Sequence, residues 1–272
     1  MDLSIGDVAR RTGVTEGTLR MWEARHGFPL PQRLESGHRR YTVCDVELVR
    51  RVLVDRAAGI PLAMAVRRAV GEAQLPARSL YAALRRRRPE LEPCTLRKGV
   101  MLALSHAIEV ESLARAEAPL LFASFQRERF FRHEEARWRE LARGAALTVA
   151  FADFPSLRTP RDGPVEIPVG GDDPLLREWA IVCDAPRHGV CLTGWEPLPR
   201  SGAGGERVFE ALWSVDPEVV REAARICAQI AAAAQPSLID PVRARLDATP
   251  RQLAGEQLVL ATAIANRTLS FV

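Results

Sequence analysis

The chain has 272 residues, 47% of them hydrophobic and 26% charged, so it can bury a core, and disorder or a coiled-coil-only architecture is excluded. Its apolar runs, such as Leu147 to Ala152 and the alanines near Ala231, fall well short of the ~18 residues of a membrane span. The N-terminus also lacks the features of a secretory leader, so a cytoplasmic protein is expected. The formal charge of +4 divides unevenly: residues 1–100 carry 19 Lys+Arg against 11 Asp+Glu, a net +8, and residues 101–272 carry 19 against 23, a net −4, which suits the N-terminal third to a polyanion.

Ser4 is an expected N-cap, with Ile5, Val8 and Ala9 spaced for one buried face and Gly13 supplying a left-handed stop. Thr15 then caps a second helix whose Leu19 and Trp22 face inward. Two helices separated by about four residues that include a Gly are the signature of a helix-turn-helix. Pro29 and Pro31 cannot continue the helix and turn the chain into an extended segment. Two very short strands around Ser36-Gly37 follow, a small wing carrying Arg33, His38, Arg39 and Arg40. Thr42 to Ala58 predicts a third helix, Gly59-Ile60-Pro61 its end, and the stretch beginning at Leu62 a fourth. A first domain is therefore expected over 1–70. Residues 71–92, with Pro76, Pro89 and the run Arg85 to Arg88, are expected to be a linker, the run itself a solvated helix end.

The second domain, expected over 93–272, opens with a helix on which Val100, Leu104, Ala107 and Ile108 share a face. Strands are predicted at PLLFASF and LTVAFADF, separated by a helix at HEEARWRELAR. REWAIVCDAP and HGVCLTGWEP suggest an antiparallel hairpin. Asp216-Pro217 starts a long helix, and a last one is expected over Gln252 to Arg267. The fold class is α+β: an all-α N-terminal winged helix-turn-helix domain, then a mixed α/β domain with helices beside an antiparallel sheet. Five scattered cysteines imply reduced thiols, with Cys183 and Cys191 placed to face one another across the hairpin. No Cys/His spacing suits a metal. Lys98 is the only Lys, a usage typical of a GC-rich bacterial genome.

A recognition helix needs N-terminal side chains that reach base edges in a major groove ~12 Å wide and cations along the flanking phosphates. Thr15, Glu16, Thr18 and Arg20 occupy outward positions on the second helix, followed by Trp22 and Arg25. The wing adds Arg33, His38, Arg39, Arg40 and Tyr41. In the order IGDVARRTGV, TLRMWEARHGFPLPQR and GHRRYT, residues 3 to about 70 resemble the MerR family of bacterial transcription regulators, in the form of its light- and cobalamin-responsive subgroup. The resemblance implies double-stranded promoter DNA as partner, a homodimer on a near-palindromic operator, and RNA polymerase in the promoter complex. The family's long dimerisation helix has no counterpart where prolines break residues 73–93, so dimerisation must come from elsewhere.

From about Ser79 to Cys227, the stretches LSHAIEVESLARAEAPLLFASFQRERFF, RWRELARGAALTVAFADFP, REWAIVCDAPRHGVCLTGWEP and RVFEALWSVDPEVVREAARIC resemble the DICT sensory domain. That implies signal input with a light-response connection, a GAF- or PAS-like sandwich and no settled cofactor. The D-x-H-x-x-G cobalamin motif is absent. Ligand contacts are sought at His106 and Glu109, one helical turn apart, and at Trp138 and Trp195, with Trp179 and Trp213 as further aromatics. No nucleophile elbow, phosphate loop or matched carboxylate pair is present, so no enzymatic activity is expected. The alternative to a sensor is a ligand-free interaction or oligomerisation module.

Overall fold

Short polar side chains open the helices of the first unit, Met1–Pro76. The structure, a computed structural model, describes residues 3–33, 39–73, 79–115, 117–196, 207–250 and 255–271. In helix α1 (Ile5–Thr12) the Ser4 hydroxyl accepts from the Asp7 N–H at 3.2 Å, and the Ser4 N–H donates to the Asp7 carboxylate at 2.8 Å, a reciprocal capping box. Gly13 closes the helix at φ 75°, a left-handed position that a Cβ would strain. Thr15 caps α2 (Glu16–His26) through the Thr18 N–H at 3.2 Å. Strands β1 (Gln32–Arg33) and β2 (Arg39–Arg40) pair antiparallel, and α3 (Val43–Ala57) and α4 (Leu62–Ala73) complete the unit. Val8, Leu19, Trp22, Phe28, Tyr41 and Val49 belong to one core. Helices of 8 and 11 residues are marginal alone, so this seam, at ~1.5–3 kcal/mol per buried large side chain, is what holds α1 and α2.

The second unit, Ala77–Val272, is built on a seven-stranded sheet. Its strands are β3 (Cys94–Arg97), β4 (Leu120–Ser124), β5 (Leu147–Ala152), β6 (Val165–Pro168), β7 (Glu178–Asp184), β8 (Gly189–Trp195) and β9 (Val208–Ser214), in the spatial order β3-β9-β8-β7-β4-β5-β6. The β4–β5 and β5–β6 pairs are parallel and the others antiparallel, so the sheet is mixed and not the antiparallel one expected. For β4–β5 the reason is α7 (Glu128–Gly144), which carries the chain back between the two strands, the crossover that a parallel pair requires.

Alternation along the central hairpin assigns each side chain to a face. Ile181 and Cys183 of β7 and Val190 and Leu192 of β8 share a core with α6 (Lys98–Arg115), α7 and α10 (Glu256–Phe271). The opposite face is covered by α5 (Leu80–Arg87) and α8 (Pro217–Ala234). Cys183 stands opposite Val190 and Cys191 opposite Val182, so the two thiols project from opposite faces and do not meet across the hairpin as expected.

Residues 71–92 also differ from the expected linker. Helix α4 runs to Ala73, residues 74–78 lie outside the described ones, and α5 is buried from Leu80 to Arg85. Arg87 pairs with Glu222 and Arg88 with Glu218 at 3.5 Å, so the arginine run ties α5 to α8. The short α9 (Arg243–Asp247) supplies the Arg245 carbonyl to Arg221 of α8 at 2.6 Å.

Glu178 fixes α5 to the sheet. Its fully buried carboxyl accepts from the Ser79 hydroxyl at 2.6 Å, the Tyr81 N–H at 2.8 Å and the Thr193 hydroxyl at 2.8 Å, capping α5 from β7. Burial outweighs these donors and pushes the group up to about 7. The folded state therefore holds an extra proton between the ordinary carboxylate value and about 7. This contribution to stability is full in acid and is lost as pH rises through about 7. Urea denaturation should show stability falling by up to about 3 kcal/mol from about pH 5 to about pH 8, and the fall should flatten in Glu178→Gln. An identical pH slope in the two proteins would refute the assignment.

Candidate nucleic-acid interface and ligand cavity

Helix α2 sorts its residues by the 3.6-residue period. Leu19 and Trp22 are buried, and the Trp22 ring stacks on Phe28 with centroids 6.4 Å apart. Glu16, Arg20 and Arg25 are exposed, Arg20 donating to Glu16 at 2.9 Å. The Thr15 hydroxyl serves the cap and lies 2.8 Å from the Thr18 hydroxyl. On β2, Arg39 and Arg40 are half-buried, and Arg39 Nε donates to Glu23 of α2 at 2.8 Å. Glu23 lies three residues beyond Arg20, a neighbouring position on the helix surface, so this ion pair brings the wing strand alongside the exposed arginines.

Two expected contacts are corrected. Trp22 and Tyr41 are core residues, 6% and 2% exposed, and the Tyr41 backbone bridges to Leu3 by hydrogen bonds of 2.7 and 2.9 Å. Large aromatics stabilise a small unit best from within, which is why these positions are inward. The Arg33 side chain and all of His38 lie outside the described residues.

On the α6 and α7 side of its sheet, the second unit encloses a cavity of about 350 Å³, with Phe125, Phe130, Trp138 and Trp179 among its walls. Trp138 Nε1 donates to Glu109 Oε1 at 3.0 Å, and Arg137 donates to Glu109 Oε2 at 2.7 Å and lies 3.3 Å from Glu134. Burial raises the Glu109 carboxyl above its ordinary range in spite of both donors. His106 Nε2 is 3.7 Å from Glu134, beyond a hydrogen bond, and has no hydrogen-bond partner among the described residues. The donor atoms of His106, Glu109 and Glu134 lie within 4.8 Å of one another, a grouping across two helices that Cys/His spacing in the sequence does not mark. The Arg137 guanidinium already holds the cation position beside both carboxylates.

Of the four side chains sought as ligand contacts, His106, Glu109 and Trp138 line the cavity and Trp195 does not. By alternation it shares the face of Thr193, which bonds Glu178 on the far side of the sheet, and the Arg177 guanidinium lies 4.5 Å from its ring centroid. Trp213 is 40% exposed. Gln126 and Arg207 were missed. Gln126 has φ 63° and is 4% exposed; its Oε1 accepts from Arg207 at 2.7 Å, and its Nε2 is buried without a partner among the described residues. Arg207 forks onto both Glu196 oxygens at 2.6 Å. No periodicity marks a loop residue of this kind.

Residues 3–69 match the MerR HTH family regulatory proteins, and residues 78–197 match DICT, a sensory domain in diguanylate cyclases and two-component systems. The chain is 53% identical over 53 residues to the HTH-type transcriptional repressor CarA of Myxococcus xanthus, covering 19% of this chain and 18% of that protein. Over 49 residues it is 37% identical to the HTH-type transcriptional regulator MlrA of Escherichia coli (strain K12), covering 18% of this chain and 20% of the relative, with the same figures for MlrA of Salmonella typhimurium (strain LT2). The chain therefore spans about a fifth of the length of the curated relatives it matches. No described helix is long and apolar enough to cross a membrane.

The burial pattern of α2 has a measurable consequence. Trp22→Ala should destabilise the first unit by about 3–5 kcal/mol, whereas Arg25→Ala should change it by less than about 0.5 kcal/mol. Amide hydrogen exchange of α1 to α3 in the full chain reads both, and equal protection in the two variants would put the indole outside the core.

Proposed function

Since the chain carries a MerR HTH family domain at residues 3–69 and a DICT sensory domain at residues 78–197, we propose that it is a sequence-specific, DNA-binding transcription regulator whose second domain receives the controlling signal. The observation that carries this reading is the two-sided character of α2: Arg20 and Arg25 are exposed on a helix whose other side is anchored by Leu19 and Trp22, with Arg39 held alongside through Glu23. The two relatives named above, a transcriptional repressor and a transcriptional regulator, point the same way.

In this reading the start of α2, Thr15 to Arg20, enters the major groove, and Arg25, Arg33, His38, Arg39 and Arg40 meet phosphates. The protein acts as a homodimer on a near-palindromic operator, with RNA polymerase in the promoter complex and no catalytic step of its own. Deforming the operator costs several kcal/mol, which the added contacts offset, and the signal tips that balance.

Fluorescence anisotropy with a duplex from the protein's own promoter tests the reading. Arg20→Ala combined with Arg39→Ala should weaken binding at least about tenfold and, through the lost Arg39 phosphate contact, reduce the slope of log affinity against log salt by about one. Affinity and slope unchanged in a variant that keeps the wild-type circular dichroism would overturn it.

A further inference from the structure

We propose that the aromatic-walled cavity between α6, α7 and the sheet binds an uncharged, planar aromatic molecule bearing a carbonyl-type hydrogen-bond acceptor, and that the Gln126 amide recognises that acceptor. This deepens, and rests on, the reading of the second unit as a signal receiver. The cavity volume, about 350 Å³, falls within the range of small-molecule sites, roughly 300–1,000 Å³. Four aromatic side chains among its walls favour a π-system over an aliphatic chain.

Most charges around the cavity are already paired, which favours an uncharged ligand. Glu109 and Glu134 share Arg137, and Arg207 is matched by the two Glu196 oxygens. Lys98 stands exposed at the rim. A metal ion is disfavoured on the same ground, because it would displace a guanidinium already seated on the carboxylates.

Polarity enters through Gln126. A guanidinium only donates, so the amide oxygen must face Arg207, and the amide NH₂ is thereby oriented away from it. That NH₂ is buried, lines the cavity and has no partner among the described residues. A buried donor without an acceptor is unfavourable, and a non-glycine residue at φ 63° adds backbone strain, a combination found where a side chain is held ready for a ligand. His106 Nε2, likewise without a partner among the described residues at the cavity wall, gives a second polar point for the ligand.

The test uses two probes on the full chain without DNA: a dimethylaminonaphthalene bearing a propionyl group (Prodan), and the same ring without it. Wild-type protein should bind Prodan saturably at one equivalent, with blue-shifted emission and quenching of tryptophan fluorescence, about three- to tenfold more tightly than the parent ring. Gln126→Leu should keep the parent ring and lose the preference for the carbonyl. Gln126→Gly, which relieves the left-handed backbone and so guards against misfolding, should do the same. Leu102→Trp, at a half-open wall position, should weaken both probes. Lack of saturable binding to wild type, or an undiminished carbonyl preference in the Gln126 variants, would overturn the proposal. Because the titration contains no DNA, it succeeds or fails separately from the promoter-binding experiment.

Discussion

A sheet covered on both faces leaves its polar side chains no route to water, so each must find a partner inside the protein. Nearly all of β7 and β8 is buried, and this condition organises the second unit. Glu178 meets the start of α5. Asp184 accepts from Arg221 of α8 at 2.6 and 3.2 Å. Glu166 of β6 receives a forked guanidinium from Arg132 of α7 at 2.7 and 2.8 Å. In each case the partner comes from a covering helix, so the bonds that satisfy the sheet also fix where its helices sit. Breaking one partner of such a buried pair leaves an uncompensated charge, whereas surface pairs such as Arg243 with Asp240 contribute little.

The cavity follows from the same layering. Where α6 and α7 spread over β4 and β7, rings of Trp138 and Phe125 meet edge-on at 5.3 Å and those of Trp179 and Phe209 at 5.7 Å, bracing the wall without filling the space. The first unit applies the principle at smaller scale: a few large side chains packed under α2 determine which of its residues remain for a partner.

Helices with strong caps were legible in the sequence. Ser4, Thr15 and Asp216 cap the helices they were expected to cap, and Thr42, expected as the first residue of its helix, caps it as well, because a short polar side chain beside periodic apolar residues is a local signal. The β7–β8 hairpin was legible for its long apolar runs. Strands β3, β6 and β9 were not: the CTLR and VEIP segments have four residues each, too few for a period to register, and β9 starts beside a glycine-rich stretch. Helix α5 was obscured by flanking prolines and four consecutive arginines, of which Arg87 and Arg88 pair with residues more than a hundred positions away. In the cavity, His106 and Glu109 could be paired by helical spacing, but Glu134, Gln126 and Arg207 reach it through tertiary structure alone. Trp195 and Trp179 could not be told apart until strand parity was known.

The placement of the cysteines bears on how the protein tolerates oxidants. Burial pushes the Cys183 and Cys191 thiols up to about 12, and Cys227 is raised as well, so the nucleophilic thiolate is scarce at all three. With Cys183 and Cys191 back to back through the sheet, peroxide stress has no disulfide to form across the hairpin. Oxidative damage would therefore begin at Cys44 and Cys94, which are exposed.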